Sequence, residues 1–223
     1  MSEFKVKIIN IENVTHDVRA IKYEKPKGFS FIPGQAADVS INKPSYAEQK
    51  RPFTFTSLNE WDYLEFNIKV YNDHNGVTKE IGNLKAGDEL IISEPWGDIH
   101  YNGEGVFIAG GAGITPFIAI LRELNSKNKI GNNKLIFANK KEKDIIYKEE
   151  FEKILGRNFI NILSDEKTDK YDYGFITEDF LKSKVSDFNK TFYLCGPPPM
   201  MDAVEKLFAN LHVNKNSIIK EGF

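Results

Sequence analysis

The sequence predicts two domains of different class. The first is an antiparallel six-stranded Greek-key β-barrel over residues 1–101, the second an α/β domain built on a parallel sheet over residues 102–223. Three observations predict this. A chain of 223 residues is long for one core and comfortable for two domains of about 100 residues each. Up to about residue 100, apolar and polar residues alternate in short runs split by turn residues, the rhythm of half-buried strands. From about residue 104, strand-like and helix-like segments take turns, which argues for a parallel sheet covered by helices on both faces.

In the first half, Phe4, Val6 and Ile8 alternate with Lys5 and Lys7, and "FSFIPG" runs into "QAADVSI". The run "RPFTFTS", Arg51 to Ser57, reads as a strand with both Phe on one face and both Thr on the other, because strand side chains alternate in direction. Leu64, Phe66, Ile68 and Val70 form a stripe opposite Glu65, Asn67 and Lys69. A short helix is expected in "TKEIGNL", and "KAGDELIISEPWG" resumes strand character before a Pro/Gly break. A short linker near Tyr101 to Glu104 leads to the second half. There the strand "GVFIAG" precedes the helix "TPFIAILRELNSK", "KLIFAN" precedes "IIYKEEFEKIL", and "FINILS" precedes "TEDFLKSKV". The last unit is "TFYLCG" followed by "PMMDAVEKLFANLHV", with "SIIKEGF" as closing strand.

Composition narrows the function. Hydrophobic residues make up 41% and charged residues 28%, and no apolar stretch approaches the roughly 20 residues that span a bilayer. "MSEFKVKIIN" lacks the apolar core of a secretory signal, so the expected location is the cytoplasm, without membrane insertion. A formal net charge of −2 favours neither nucleic acid nor an anionic membrane, although the basic stretch "NKKEKDIIYK" suits an acidic partner locally. Cys195 is the only cysteine, which excludes an intrachain disulfide, a four-thiolate iron–sulfur cluster and a cysteine-rich zinc site. His16, His74, His100 and His212 lack metal-ligand spacing, so no metal site is expected.

Two strand-to-helix junctions carry the chemistry of the second half. "FIAGGAGITPFIAI" places Gly110, Gly111 and Gly113 between an apolar strand and an apolar helix, with Thr115 as a natural N-cap and Pro116 at the first helical position. Glycines there let backbone N–H groups approach a phosphate at the helix's positive end, or they simply make a tight turn. Pro116 occupies the third glycine's place, so this is not the G-x-G-x-x-G fingerprint. In "YLCGPPPMMDA" a strand ends at Cys195 and Gly196 before three prolines and a helix. That makes a rigid edge facing the same crevice, and Cys195 is either an inert buried thiol or a small polarizable group lying against a flat ring.

In its order of motifs the chain resembles the ferredoxin-NADP reductase family of flavoproteins along nearly its whole length. The pieces are "FIPGQ", "RPFTFTS", "NGVT", "AGDELIISEPWG", "GGAGITP", "CGPPPM" and the aromatic Phe223 at the C-terminus. The resemblance implies a barrel that binds FAD, with FMN the lesser choice, and a second domain that binds NADH or NADPH. It implies that Arg51 pairs with the flavin phosphate, Phe53 stacks on the isoalloxazine and the Thr54 hydroxyl bonds near N5. Because residues 53 and 54 point to opposite faces, the flavin would lie along the strand's edge. Tyrosine is commoner in the family at the Phe53 position.

The resemblance further implies that Lys69, Val70 and Tyr71 border the ring and ribityl chain, mostly through backbone. Gly76, Val77 and Thr78 match the pyrophosphate loop, where Asn75 replaces a glycine and a simple Asn-Gly turn is the alternative. Gly111, Gly113, Thr115, Pro116, Cys195, Gly196, Pro197 and Met200 match the nicotinamide nucleotide site. A nicotinamide between Thr115 and Cys195 would set its C4 against flavin N5 for hydride transfer. Phe223 would cover the flavin until displaced, or pack as a structural residue, and Glu221 is the candidate proton carrier. In "LSDEKTDKYDYG", Asp165 after Ser164 would repel a 2′-phosphate and accept from a ribose hydroxyl, favouring NADH, with Lys167 and Lys170 as opposing charges.

A reductase that passes electrons through flavin to a separate one-electron carrier, ferredoxin or flavodoxin, is the function implied. Reduction of free flavin, or a non-catalytic nucleotide-sensing or electron-transfer subunit of a larger complex, are the alternatives.

Overall fold

Residues 2–71 and 76–221 are described by the structure, a computed structural model of the chain. The alternation of the first hundred residues becomes β1 (Glu3–Asn13), β2 (Val18–Glu24), β3 (Ala36–Ile41), β4 (Arg51–Thr54), β5 (Tyr63–Lys69), helix α1 (Val77–Ile81) and β6 (Glu89–Ser93). Every pairing is antiparallel, in the order β4-β3-β6-β1-β2-β5. β6 returns to lie between β3 and β1, the long return of a Greek key. An isolated bridge from Phe55 to Phe66 joins the two ends of this sheet and nearly closes it into a barrel. The interior is aromatic, with Tyr23 stacked on Phe66 at 4.8 Å and Phe31 on Phe55 at 4.5 Å.

Two local expectations are corrected. "FSFIPG" is not a strand: Phe29 and Phe31 are buried, but the Phe29 N–H closes a turn onto Pro26 and the Phe31 N–H donates to the Asn59 side chain. Alternation there reports burial without a strand ladder. In "RPFTFTS" the strand ends at Thr54, and both Phe55 and Thr56 are fully buried, so the expected division into a Phe face and a Thr face does not persist.

The second half comprises β7 (Gly105–Gly110), α2 (Thr115–Ser126), β8 (Lys134–Asn139), α3 (Lys148–Leu155), β9 (Phe159–Leu163) and β10 (Asp172–Tyr173), then α4 (Glu178–Lys184), β11 (Thr191–Cys195), α5 (Pro198–Asn210) and β12 (Ile218–Lys220). The sheet is parallel throughout, ordered β10-β9-β8-β7-β11-β12. Chain order therefore reverses between β7 and β11. α3 starts three residues later than its apolar pattern suggests, because Ile145 and Ile146 are buried as loop residues and Tyr147 takes a left-handed φ of 52°.

The described residues form two compact units. One holds the chain up to His100 together with Thr115–Glu123 of α2; the other holds Tyr101–Ile114 and the chain from Leu124 onward. Within the second unit the linker is tied down. The Tyr193 hydroxyl donates to the Gly103 carbonyl at 2.7 Å and accepts from the Asn102 N–H at 2.8 Å.

Candidate functional site

In the first unit the strand that begins at Arg51 is an edge. β4 stands last in the sheet order, hydrogen-bonded to β3 on one side, with Thr54 opposite Ala36 and Phe53 opposite Ala37. Arg51 is exposed and donates to the Lys50 carbonyl at 2.7 Å. Phe53 and Thr54 are half-buried, and the Phe53 ring sits 6.2 Å from Phe66.

The end of β5 is anchored beside this edge. Lys69 pairs with Asp17 at 2.9 Å, and the Val70 N–H donates to the Asp17 carbonyl at 2.7 Å. Burial tends to raise the Asp17 carboxyl, but the hydrogen bonds from Lys69 and Thr15 outweigh it and hold the group below its ordinary pKa. Val70 is buried and Tyr71 is exposed. Gly76 caps α1, Val77 is buried and Thr78 half-buried. A Cβ on Gly82 would lie 2.9 Å from Val70 Cγ1, so α1 seats closely on the chain leaving β5. Lys43 holds α1 from the other direction through Glu80 at 2.8 Å. Asn75 lies outside the described residues.

In the second unit the two expected loops meet. A Cβ on Gly113 would overlap the Cys195 carbonyl and stand 2.6 Å from Gly196 Cα, and one on Gly110 would overlap the Met200 thioether 3.0 Å from Pro197 Cδ. Gly110, Gly113, Cys195, Gly196, Pro197 and Met200 thus form one close-packed cradle at the carboxyl ends of β7 and β11, where the strand order reverses. That is where open α/β sheets bind ligands. Gly111 has φ 51° and open space around its Cβ position. One expectation is corrected: Thr115 is not an N-cap, because a 3-10 turn over Gly111–Ile114 runs straight into α2. Thr115 is the first helical residue and Pro116 the second.

Cys195 is buried, and burial, with the Glu221 charge adding to it, pushes its thiol up to about 12. It is a neutral thiol at physiological pH. Glu221 is itself buried, while Phe223 lies outside the described residues. At the end of β9 the Ser164 hydroxyl donates to Asp165 Oδ1 at 2.6 Å, and the Asp165 N–H to the Lys140 carbonyl at 2.9 Å. Lys170 is paired with Glu152 at 2.9 Å and lies over the Tyr171 ring; the hydrogen bonds it makes to Tyr171 and Glu152 raise its pKa. Asn139, the last residue of β8, has a buried amide nitrogen with no partner.

The residues fit the groups expected. An exposed guanidinium on an edge strand suits a phosphate, and a glycine cradle with an unsatisfied buried amide at the strand ends suits a nucleotide. Residue-level reading missed a buried polar cluster. Glu65 and Asn67, expected on the polar side of a stripe, are 3% and 4% exposed. Glu65 meets Arg122 of α2 at 2.9 Å. The signal was Arg122 itself, a charge inside a helix whose residues from Pro116 to Leu121 are all buried, since a charge in so apolar a setting is normally paired.

Comparison with known proteins points the same way. Residues 3–97 match the model of an FAD-binding domain and residues 107–206 that of an oxidoreductase NAD-binding domain. The reductase component of propane 2-monooxygenase from Mycolicibacterium smegmatis is 25% identical over 100% of this chain and 68% of its own length. NADH-cytochrome b5 reductase 2 from Aspergillus niger is 29% identical over 90% of this chain and 68% of its own. A ferredoxin NADP+ reductase from Neisseria gonorrhoeae, solved with bound FAD and NADP, shares the fold with a TM-score of 0.83 at 17% identity, covering 99% of this chain and 98% of that one. Among the described residues, no helix is long and apolar enough to cross a membrane.

Proposed function

The chain belongs to the ferredoxin-NADP reductase family of flavoproteins, a flavin- and nicotinamide-dependent group of oxidoreductases, and from that premise we propose that it is a cytoplasmic NADH-dependent reductase serving a separate one-electron carrier protein. Residues 1–101 form the FAD-binding domain and residues 102–223 the NAD(P)-binding domain. The observation that carries the reading is the cradle at the reversal of strand order, where Gly113 presses against Cys195 and Gly196.

Bound FAD supplies the conversion of a two-electron hydride into single electrons. The residues of the chain bind and orient. Arg51 neutralises phosphate, Phe53 offers an aromatic face, and the Thr54 hydroxyl donates or accepts near N5. β4 is an edge strand, which accords with a flavin lying along it and meeting both residues. The backbone at Gly76, Val77 and Thr78 would hold the pyrophosphate, and Lys69, Val70 and Tyr71 would border the ring. Lys69 also spends its charge on Asp17. The raised Cys195 pKa favours a packing role beside the nicotinamide over a nucleophilic one. Thr115, Pro116, Pro197 and Met200 complete that site, with Glu221 as proton carrier and Phe223 as the movable cover.

NADH is preferred on charge. Asp165 would repel a 2′-phosphate, and Lys170 is engaged by Glu152 and Tyr171, leaving Lys167 to oppose it. A separate protein acceptor is favoured by the relatives, which are named as a reductase component and a cytochrome b5 reductase; ferredoxin or flavodoxin is the choice that the resemblance in motif order implies. The test is the visible spectrum of the purified chain before and after anaerobic NADH, followed by a one-electron acceptor. Bleaching by NADH and recolouring by the acceptor are expected. A chain that takes up neither FAD nor FMN and leaves both nicotinamides unoxidised overturns the proposal.

A further inference from the structure

The buried polar cluster of the first unit joins the flavin-side strand to α2. Arg122 Nη1 donates to the Thr56 carbonyl at 2.8 Å and to Glu65 Oε1 at 2.9 Å. The same carboxylate oxygen accepts from the Thr56 hydroxyl at 2.9 Å and from Asn67 Nδ2 at 3.1 Å, and Asn67 Nδ2 also reaches the Thr56 hydroxyl at 2.7 Å. The guanidinium lies 5.4 Å from the centre of the Trp61 ring. The side chains of Arg122 and Glu65 are only 10% and 4% exposed. At such burial, ionised hydrogen bonds are strong and directional, and an unpaired partner is costly.

The cluster touches two places that matter. Thr56 is two residues beyond Thr54. Thr115 is seven residues before Arg122 on the same helix, hence about 10 Å up the axis and only roughly 20° around it. A helix held by Arg122 therefore turns its Thr115 edge toward the same strands. We propose that Arg122, fixed by Glu65, is a positioning residue for hydride transfer: it sets the rotation and height of α2 so that Thr115 faces the strand carrying Phe53 and Thr54. Neither residue touches the reacting atoms. This inference rests on the oxidoreductase reading given above.

The test uses the full chain carrying Glu65→Gln and Arg122→Met together, which removes both charges at similar volume; such replacements commonly keep a protein folded. In the FAD-free protein, hydrogen exchange of the α2 amides from Phe117 to Leu121 is expected to accelerate at least tenfold, with β1 and β2 unchanged. In the flavin-loaded protein, FAD content should match the parent. Flavin reduction at saturating NADH should slow at least tenfold, with a threefold or smaller change in KM. Arg122→Lys, which keeps the charge but not the fork of donors, should fall between.

A flavin-loaded double variant reduced within twofold of the parent rate, or α2 exchange at the parent rate, overturns the proposal. If the double variant does not fold, Arg122→Lys decides by the same two readings, parent-like values overturning it. A parent protein whose flavin NADH cannot reduce removes the oxidoreductase reading instead, while the exchange comparison still reports whether Arg122 holds α2.

Discussion

A methyl group on Gly113 has no room, because the Cys195 carbonyl and Gly196 Cα already occupy its place. Gly113→Ala must push β7 and β11 apart at their carboxyl ends, an overpacking that costs about 1–3 kcal/mol. NADH affinity is expected to fall at least tenfold while FAD content, a property of the other unit, stays at the parent level; titration of the flavin-loaded protein with NADH checks this, and unchanged affinity counts against the cradle. For Arg51→Ala the expected loss is the reverse. Removing one charge-assisted contact of about 1.5–3 kcal/mol weakens FAD roughly 10- to 150-fold, so the protein should elute from gel filtration depleted in flavin, and a fully yellow Arg51→Ala protein would contradict the phosphate assignment. Asp165→Ser removes the repelling charge and should raise the NADPH-to-NADH ratio of kcat/KM at least tenfold, a change that steady-state kinetics with both nucleotides reads directly. Gly113 was legible in the sequence, because glycine beside a strand end marks a backbone requirement that local chemistry dictates, whereas the roles of Arg51 and Asp165 came from the resemblance carried by the order of motifs. Arg122 and Glu65 were not legible, since their meaning depends on a pairing between positions far apart in the chain.

Elements whose sequence keeps one pattern were legible, and those that break it were not. β5 and the fully buried β7 stood out. β2 did not, because Ala20 and Ile21 are buried in succession and a bulge in β1 between Ile8 and Asn10 leaves Ile9 half exposed. β10 is two residues long and carries no period at all. The short helix α1 begins at Val77, one residue before the expected stretch, and ends at Ile81, three residues before that stretch closes at Leu84; its anchor, Lys43 at Glu80, is a long-range pair, as is Lys69 at Asp17 at the end of β5. The Asp17 pair predicts a small and pH-signed effect. Its folded pKa lies below the unfolded value, so its stabilisation is present above about pH 4 and is lost as pH falls through the folded pKa. Since both side chains are partly exposed, Asp17→Asn should cost no more than about 1 kcal/mol at pH 7, and the difference from the parent in urea midpoint should vanish at low pH. A difference that persists there would mean that Asp17 acts through its backbone turn and not through its charge.

Across the whole molecule, both units bury groups that must stay neutral. Tyr23, fully buried in the barrel, is raised well above its ordinary pKa by burial and by the Glu65 charge. In the parallel-sheet unit, burial raises Tyr193 to about 12, opposed by its hydrogen bond from the Asn102 backbone, and raises Cys195 to about 12, with Glu221 adding to the effect. A group whose folded pKa is raised contributes stability that is fully present below its unfolded pKa and is lost as pH rises toward the folded one. The unfolded values are 9.0 for the thiol and 10.0 for the phenols. Unfolding above those values releases protons that the folded chain retains, at about 1.4 kcal/mol per pH unit for each proton. Stability should therefore hold level from pH 7 to about 8.5, then fall with increasing slope toward pH 11, read as the urea midpoint of the FAD-free chain. Cys195→Ala should flatten the start of the fall near pH 9, and Tyr193→Phe its continuation beyond pH 10, although Tyr193→Phe also releases the linker bonds at Asn102 and Gly103 and so lowers the plateau. A midpoint that stays level to pH 11, or one whose early fall survives Cys195→Ala, would place the alkaline limit elsewhere in the molecule. Cys195 would then be open to solvent at the edge of the cradle, and a thiol probe at pH 8 would label it in the folded protein as fast as in the unfolded one.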